Sequence, residues 1–112
     1  MNLERQFEIA AIMSEAKNAP NEVLSSVLLK AFKLDMVKTN NVNILVDAYN
    51  ADRPLPNPVT ELSIENELAC VTAQKTIVSK GRQAMLDTLK HLLEEDYRKS
   101  DRIGYIAKKL LG

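Results

Sequence analysis

The chain has 112 residues, of which 46% are hydrophobic and 27% are charged; these fractions are typical of a globular protein and argue against wholesale disorder. Fifteen basic residues balance fifteen acidic ones, so the net charge gives no reason to expect nucleic acid or an anionic membrane as the main partner. One cysteine cannot form an internal disulfide, no signal-peptide pattern opens the chain, and no apolar run is long enough to cross a bilayer, which favours a single cytoplasmic domain over residues 1–112.

Apolar residues at helical spacing predict three short helices within residues 1–49. The first covers residues 3–17 and ends before Pro20, which lacks a backbone donor and disfavours helix at the preceding residue. The second follows at once, and the polar run at residues 39–41 is typical of a helix stop and cap. Residues 42–49 then form the third. Their β-branched content would also suit a strand, but a single strand would have nothing to pair with.

A proline-rich crossover is predicted for residues 50–59. It contains Pro54, Pro56 and Pro58, and this alternation fixes extended backbone geometry and removes hydrogen-bond donors. We therefore expect a stiff, non-helical connection, with Thr60 as the cap of the helix that follows.

Residues 60–97 are predicted to form one long helix that organises the fold. Its apolar side, called here the apolar stripe, consists of Ile64, Leu68, Val71, Val78, Met85, Leu89 and Leu92. Gly81 weakens the helix by about 1 kcal/mol relative to alanine, and Lys75 and Arg82 interrupt the stripe on either side of it. A break near residues 79–82, giving two helices of about 18 residues each, is one interpretation. We favour a single helix of roughly 55 Å, since four residues are very few for a reversal of direction.

A short helix over residues 100–111 completes the predicted order, with Ser100 and Asp101 as its cap and Gly112 at its end. The sequence thus predicts an all-α bundle of about five helices, in which the three short N-terminal helices pack on the apolar stripe of the long one.

The chain offers little for catalysis. His91 is the one histidine, and Asp87, four residues earlier, is placed to pair with it on the helix surface, which is a structural role. One cysteine and one histidine do not make a zinc site, no Glu-x-x-His pair supports a di-iron site, and no glycine-rich loop is present to bind phosphate. We therefore expect a non-enzymatic protein that holds no metal and no cofactor, with Cys70 as a small core residue.

A protein partner is the preferred functional prediction. A helix of about 36 residues is longer than three short helices can cover, so part of the apolar stripe is expected to remain free for a partner. The alternative is that the whole stripe lies in the chain's own core. Because small, neutral helical chains without sites are common among phage and mobile-element accessory proteins, we expect a regulatory or adaptor protein that forms a homodimer or modulates a host protein through the seven stripe residues.

Nucleic acid is the alternative partner. Basic residues concentrate in the C-terminal tail and around Gly81, where they could contact phosphate groups. These candidate contacts are Lys75, Lys80, Arg82, Arg98, Lys99, Arg102, Lys108 and Lys109. Charge this modest more often belongs to a solvated face, and aromatic residues that would stack on bases are scarce, so a protein partner is preferred.

Overall fold

The computed structural model describes all 112 residues and contains four helices and no strand. These are α1 (Leu3–Asn18), α2 (Asn21–Asn50), α3 (Ile64–Ser79) and α4 (Arg82–Leu111). The predicted all-α class is confirmed. The predicted number of about five helices is slightly too high, and several of the predicted boundaries are wrong.

The first wrong boundary is the stop at residues 39–41, because α2 runs through it without interruption. The polar side chains there are used in packing and not as caps. Asn41 Nδ2 donates to the carbonyls of Val37 (3.1 Å) and Val59 (2.9 Å), and Asn41 Oδ1 accepts from the Val59 amide at 2.7 Å. Asn40 Nδ2 donates to Asn66 Oδ1 at 3.1 Å. Asn40 and Asn41, which could have capped a helix end, instead attach α3 and the loop that precedes it to α2.

The second wrong boundary is the continuous long helix over residues 60–97, which is broken at Gly81. The last turn of α3 tightens, with the amides of Lys80 and Gly81 donating to carbonyls three residues earlier. Gly81 then takes φ 101° and ψ 176°, a conformation that residues with a side chain rarely adopt. The resulting helices have 16 and 30 residues, so the alternative of two helices of about 18 residues located the break but not the lengths.

The third wrong boundary is the cap at Ser100 and Asp101, since α4 continues through both residues. Ser100 Oγ accepts from Lys38 Nζ at 2.5 Å, and the Asp101 carboxylate accepts from both terminal nitrogens of Arg5 at 2.6 and 2.8 Å. These side chains hold α2 and α1 against α4. At the start of α3 the cap is Ser63, whose side chain accepts from the Asn66 amide at 3.1 Å, and not the predicted Thr60.

Gly81→Ala is expected to lower the free energy of unfolding by about 1–2 kcal/mol, because an alanine would be strained at this positive φ. A Cβ at Gly81 would meet no atom within 4 Å, so the cost comes from the backbone alone. Gly104→Ala is the matched control. Gly104 lies inside α4 with equally open space, and alanine there should stabilise the protein by up to about 1 kcal/mol. Urea unfolding of both variants measures the difference, and equal effects would contradict the break at Gly81.

The two 30-residue helices, α2 and α4, form the centre of the fold and run in the same direction. Arg82 at the start of α4 contacts Asn21 at the start of α2, and Lys38 reaches Asp96 further along both helices. α1 lies antiparallel on α4, and α3 lies antiparallel on α2. Each outer helix therefore has one side on the central pair and the other toward solvent.

The main core lies between α2, the first half of α4 and the end of α1. It consists of Ala16, Leu24, Leu28, Met85, Leu86, Leu89 and Leu92. From α3 only Ile77 packs against this cluster, and it is half-buried. The predicted packing of the N-terminal helices on the whole apolar stripe therefore holds for its second half alone.

The fold leaves a large surface for its mass. Its accessible surface is 7515 Å², whereas a monomer of 12.5 kDa is expected to expose about 6,200 Å². The radius of gyration is 15.8 Å, against about 13 Å for a compact domain of this length. The molecule is flattened, with extents of 47 × 36 × 17 Å, so a larger share of the helix surfaces faces solvent.

Candidate functional site

The outer face of α3 is an exposed apolar helix face. It is formed by Ile64, Leu68, Val71 and Val78, which share one side of the helix by their spacing. The exposed fractions are 75% for Ile64, 61% for Leu68 and 39% for Val78, and Val71 is half-buried. These are four of the seven residues predicted to bind a partner.

The other three predicted partner-binding residues lie in the core. Met85, Leu89 and Leu92 belong to α4 and are at most 6% exposed. The apolar stripe is therefore not one continuous surface, because the break at Gly81 turns its two halves in different directions. One hypothesis was that the stripe lies in the chain's own core, and this is true of its second half, on α4. The other was that part of the stripe remains exposed, and this is true of its first half, on α3.

The inner face of α3 is fixed on α2 by both apolar and polar contacts. Cys70 is buried there, and burial raises the pKa of its thiol. Gln74 Nε2 donates to the backbone carbonyl and the hydroxyl of Ser25 at 3.1 and 2.8 Å. With Asn66 bonded to Asn40 one end of the helix is also anchored. Because these directional bonds fix the rotation of α3, its outer face points into solvent.

Charges are arranged unequally along α3. Glu61, Glu65 and Glu67 are exposed at its N-terminal end, where the helix dipole favours negative charge. Lys75 is exposed within the outer face, and Lys80 is exposed just past the C-terminus. None of the four ion pairs in the structure uses these residues. The outer face thus has an acidic end and a basic end, which the sequence analysis missed although residue spacing along the helix displays it.

Other exposed apolar residues lie apart from this face. On α1 they are Leu3, Phe7 and Ile12. On α2 they include Leu34, which is 59% exposed. Leu34 is nine residues beyond Ser25, hence half a helical rotation away from the side that contacts α3. Leu34 therefore has the same chemistry and nearly the same exposure as Leu68, at a different surface.

Three of the eight basic residues predicted to contact nucleic acid are engaged in contacts within the protein. Arg82 donates to backbone carbonyls at the end of α1, and Lys99 Nζ contacts Asp35 Oδ1 at 2.7 Å. Arg98 pairs with Glu95 one turn earlier on α4. These side chains join helices or pair with a neighbouring charge. They are therefore not free to form a basic surface for nucleic acid.

The other five basic residues do not form one patch. Lys75 and Lys80 lie near the break at Gly81, whereas Arg102, Lys108 and Lys109 are exposed toward the far end of α4. The two groups are separated by roughly 30–40 Å of helix. At the far end Lys109 Nζ lies 5.3 Å from the centre of the Tyr105 ring. The nucleic-acid hypothesis then depends on this small group and stays a prediction.

A second cluster of charged groups, which the sequence analysis did not identify, attaches α1 to α4. The Arg5 guanidinium bonds the Asp101 carboxylate and lies 4.7 Å from the Tyr97 ring, and the Tyr97 hydroxyl donates to Glu8. Arg5 lowers the pKa of Asp101 through these bonds, and the Glu8 carboxylate raises the pKa of Tyr97. Every charge in the cluster has a partner, so its role is structural.

The predicted pair of His91 and Asp87 is not formed. His91 is exposed on α4, and Asp87 Oδ1 instead accepts from Gln83 Nε2 at 2.9 Å. The structure brings together no group of three or more histidine, cysteine, aspartate or glutamate side chains with the geometry to hold a metal ion.

None of the four helices is both long enough and apolar enough to span a bilayer. Comparison of the chain with protein-family models, with curated proteins and with solved structures gives no match. The outer face of α3 is therefore assigned as the candidate site from its physical properties alone.

Proposed function

We propose that this chain is a non-enzymatic protein-binding module, acting as a regulator or adaptor, and that the outer face of α3 is its principal binding surface. The observation that carries the proposal is the exposure of Ile64 and Leu68 on a helix whose orientation is fixed by hydrogen bonds on its other side. A helix that is apolar on both faces is typical of one with neighbours on both sides. In this chain α2 supplies only the inner neighbour.

The energetics favour a partner on this face. Single exposed apolar side chains are common on protein surfaces and require no explanation. The outer face of α3 instead groups four apolar side chains, interrupted by Lys75, on one side of a 16-residue helix, and grouped apolar residues of this kind mark interaction sites. Fully burying a side chain such as that of Ile64 or Leu68 contributes about 1.5–3 kcal/mol. Two such residues with their neighbours would form an apolar centre, which is the usual arrangement of a protein interface.

The shape of the protein gives independent support. Its accessible surface exceeds the value expected for a monomer of its mass by about 1,300 Å². A standard protein interface buries about 800 Å² on each partner. Covering the outer face of α3 and its surroundings would therefore bring the accessible surface closer to the value that is usual for a protein of this mass.

Site-specific photo-crosslinking tests the proposal. A benzophenone amino acid is placed at position 68 and, as the matched control, at position 34, and each protein is irradiated both purified and inside producing cells. We expect a discrete protein adduct from position 68 and none from position 34, because only the former lies on the binding surface. The adduct should disappear when Ile64→Glu is added, while circular dichroism shows unchanged helix content.

Two results would count against protein binding at this face. The first is the absence of any protein adduct from position 68 in either setting. The second is an equal yield from positions 68 and 34, which would indicate contact by random collision.

A further inference from the structure

The charges on the outer face of α3 are complementary to those on a second copy of the same face that runs in the opposite direction. Its N-terminal end carries Glu61, Glu65 and Glu67, and its C-terminal end carries Lys75 and Lys80. Two copies placed antiparallel would set each acidic end against a basic end, twice in one interface. Two copies placed parallel would set like charges together at both ends, which disfavours that arrangement.

We propose that the occupant of this face is a second copy of the same chain, with α3 packed antiparallel on α3 of its partner about a two-fold axis. A two-fold interface must be complementary to itself, since each residue that contacts another is contacted in return. The apolar residues in the middle of the face and the opposite charges at its ends meet that condition. The inference rests on the proposed function and names the partner.

Lys75 fits this arrangement better than it fits an isolated monomer. It lies on the same side of α3 as Leu68 and Val71, and it has no ion-pair partner within the chain. In the antiparallel dimer its aliphatic stem covers apolar side chains of the partner while its ammonium group reaches toward the partner's acidic end. Lys75, which interrupts the apolar stripe, would then help to set the antiparallel orientation of the two copies.

The chain as a whole has more surplus surface than a stable dimer would bury. A 16-residue helix is about 24 Å long, and the excess surface of about 1,300 Å² per chain exceeds the roughly 800 Å² per partner of a standard interface. Because the centre is apolar and the charges lie at its edges, we expect added salt to weaken the dimer only modestly.

Mass measurement by light scattering over a dilution series is the first test. We expect the wild-type protein to have twice the 12.5 kDa mass of one chain and to dissociate on dilution. Leu68→Glu should give monomers at concentrations where the wild type is dimeric, and the matched Leu34→Glu should leave the dimer intact. Circular dichroism confirms that both variants remain folded. A wild-type monomer at all concentrations would overturn the proposal, as would a dimer indifferent to Leu68→Glu.

Charge substitutions test the orientation. One variant carries Glu65→Lys with Glu67→Lys, and a second carries Lys75→Glu with Lys80→Glu. Each alone should raise the dimer dissociation constant about tenfold or more, because the net charge of the altered end changes sign and then meets a like charge on the partner. Mixing the two should restore association as a heterodimer. Unchanged dimers in either variant alone would indicate a parallel arrangement or an interface on another face. A mixture that stays monomeric would show that the two ends of α3 do not attract each other across the interface.

The failure of this inference can be told apart from failure of the proposed function. If the purified chain is monomeric but position 68 crosslinks to a different protein in cells, the dimer is wrong and protein binding at α3 stands. If position 68 yields no adduct with any protein, including itself, both are wrong.

Discussion

Leu89→Ala is expected to lower the free energy of unfolding by about 2–5 kcal/mol, the range for removing a buried leucine side chain and leaving a cavity. Leu89 is 1% exposed and lies in the core formed by α2 and α4. Leu68→Ala, on the same apolar stripe but on α3, should change it by no more than about 0.5 kcal/mol. Urea unfolding of both in an Ile64→Glu background, which is expected to be monomeric, keeps dissociation out of the comparison.

The contrast between these two leucines distinguishes the observed fold from a continuous long helix. If Leu68→Ala and Leu89→Ala cost the same, both halves of the stripe would be equally buried, and the exposed face on α3 would not exist. A large effect at Leu89 with a negligible one at Leu68 is what a break at Gly81 requires.

Arg82→Ala is expected to destabilise the protein by about 2–3 kcal/mol, because charge-assisted hydrogen bonds at the end of α1 are lost. Arg82 Nη2 donates to the carbonyls of Ala16, Lys17 and Ala19 at 3.2, 2.8 and 2.7 Å, and Nη1 donates to Asn21 Oδ1 at 2.6 Å. The Ala16 carbonyl also accepts from the Ala19 amide at 3.2 Å. Carbonyls at the end of a helix lack the intrahelical partner of the helix interior, and a cation there also complements the helix dipole.

Two further variants give the control for this result. Arg82→Lys should recover only part of the stability, since a single ammonium group cannot reproduce the planar fork of a guanidinium. Lys90→Ala removes an exposed cation of α4 that lies outside the proposed interface, and it should have an effect below about 0.5 kcal/mol. Thermal or urea unfolding measures all three. An Arg82→Ala protein as stable as the wild type would mean that water replaces these bonds without cost.

The sequence predicted the helical class and the non-helical backbone near Pro20 and in the proline-rich crossover, whereas the break at Gly81 was only the less favoured of two interpretations. It did not predict which polar residues end a helix. Asn40 and Asn41 are good caps in isolation, but here they bond Asn66 and Val59, which are distant in sequence. A side chain that can satisfy either local backbone or a tertiary partner is not assigned by its local pattern.

The candidate site was only half predictable for a related reason. Periodicity shows that Leu68 and Leu89 would share a side of one continuous helix, but it does not show what covers that side. The choice depended on Gly81, whose cost as a helix residue is small compared with the energy of packing α4 against α2. The acidic and basic ends of α3 are ends only if α3 is a separate helix with an exposed face, and the sequence pattern alone does not show that.

The parallel arrangement of α2 and α4 has a consequence for how the chain folds. Neighbouring parallel helices cannot be joined by a tight turn, and here the paired ends, marked by Asn21 and Arg82, are 61 residues apart in sequence. Long sequence separation slows folding, because the entropy of closing the intervening loop is lost before the contacts form. This all-helical chain should therefore fold more slowly than an up-and-down bundle of its length. During synthesis, the side of α2 that packs against α4 remains uncovered until α4 has been made.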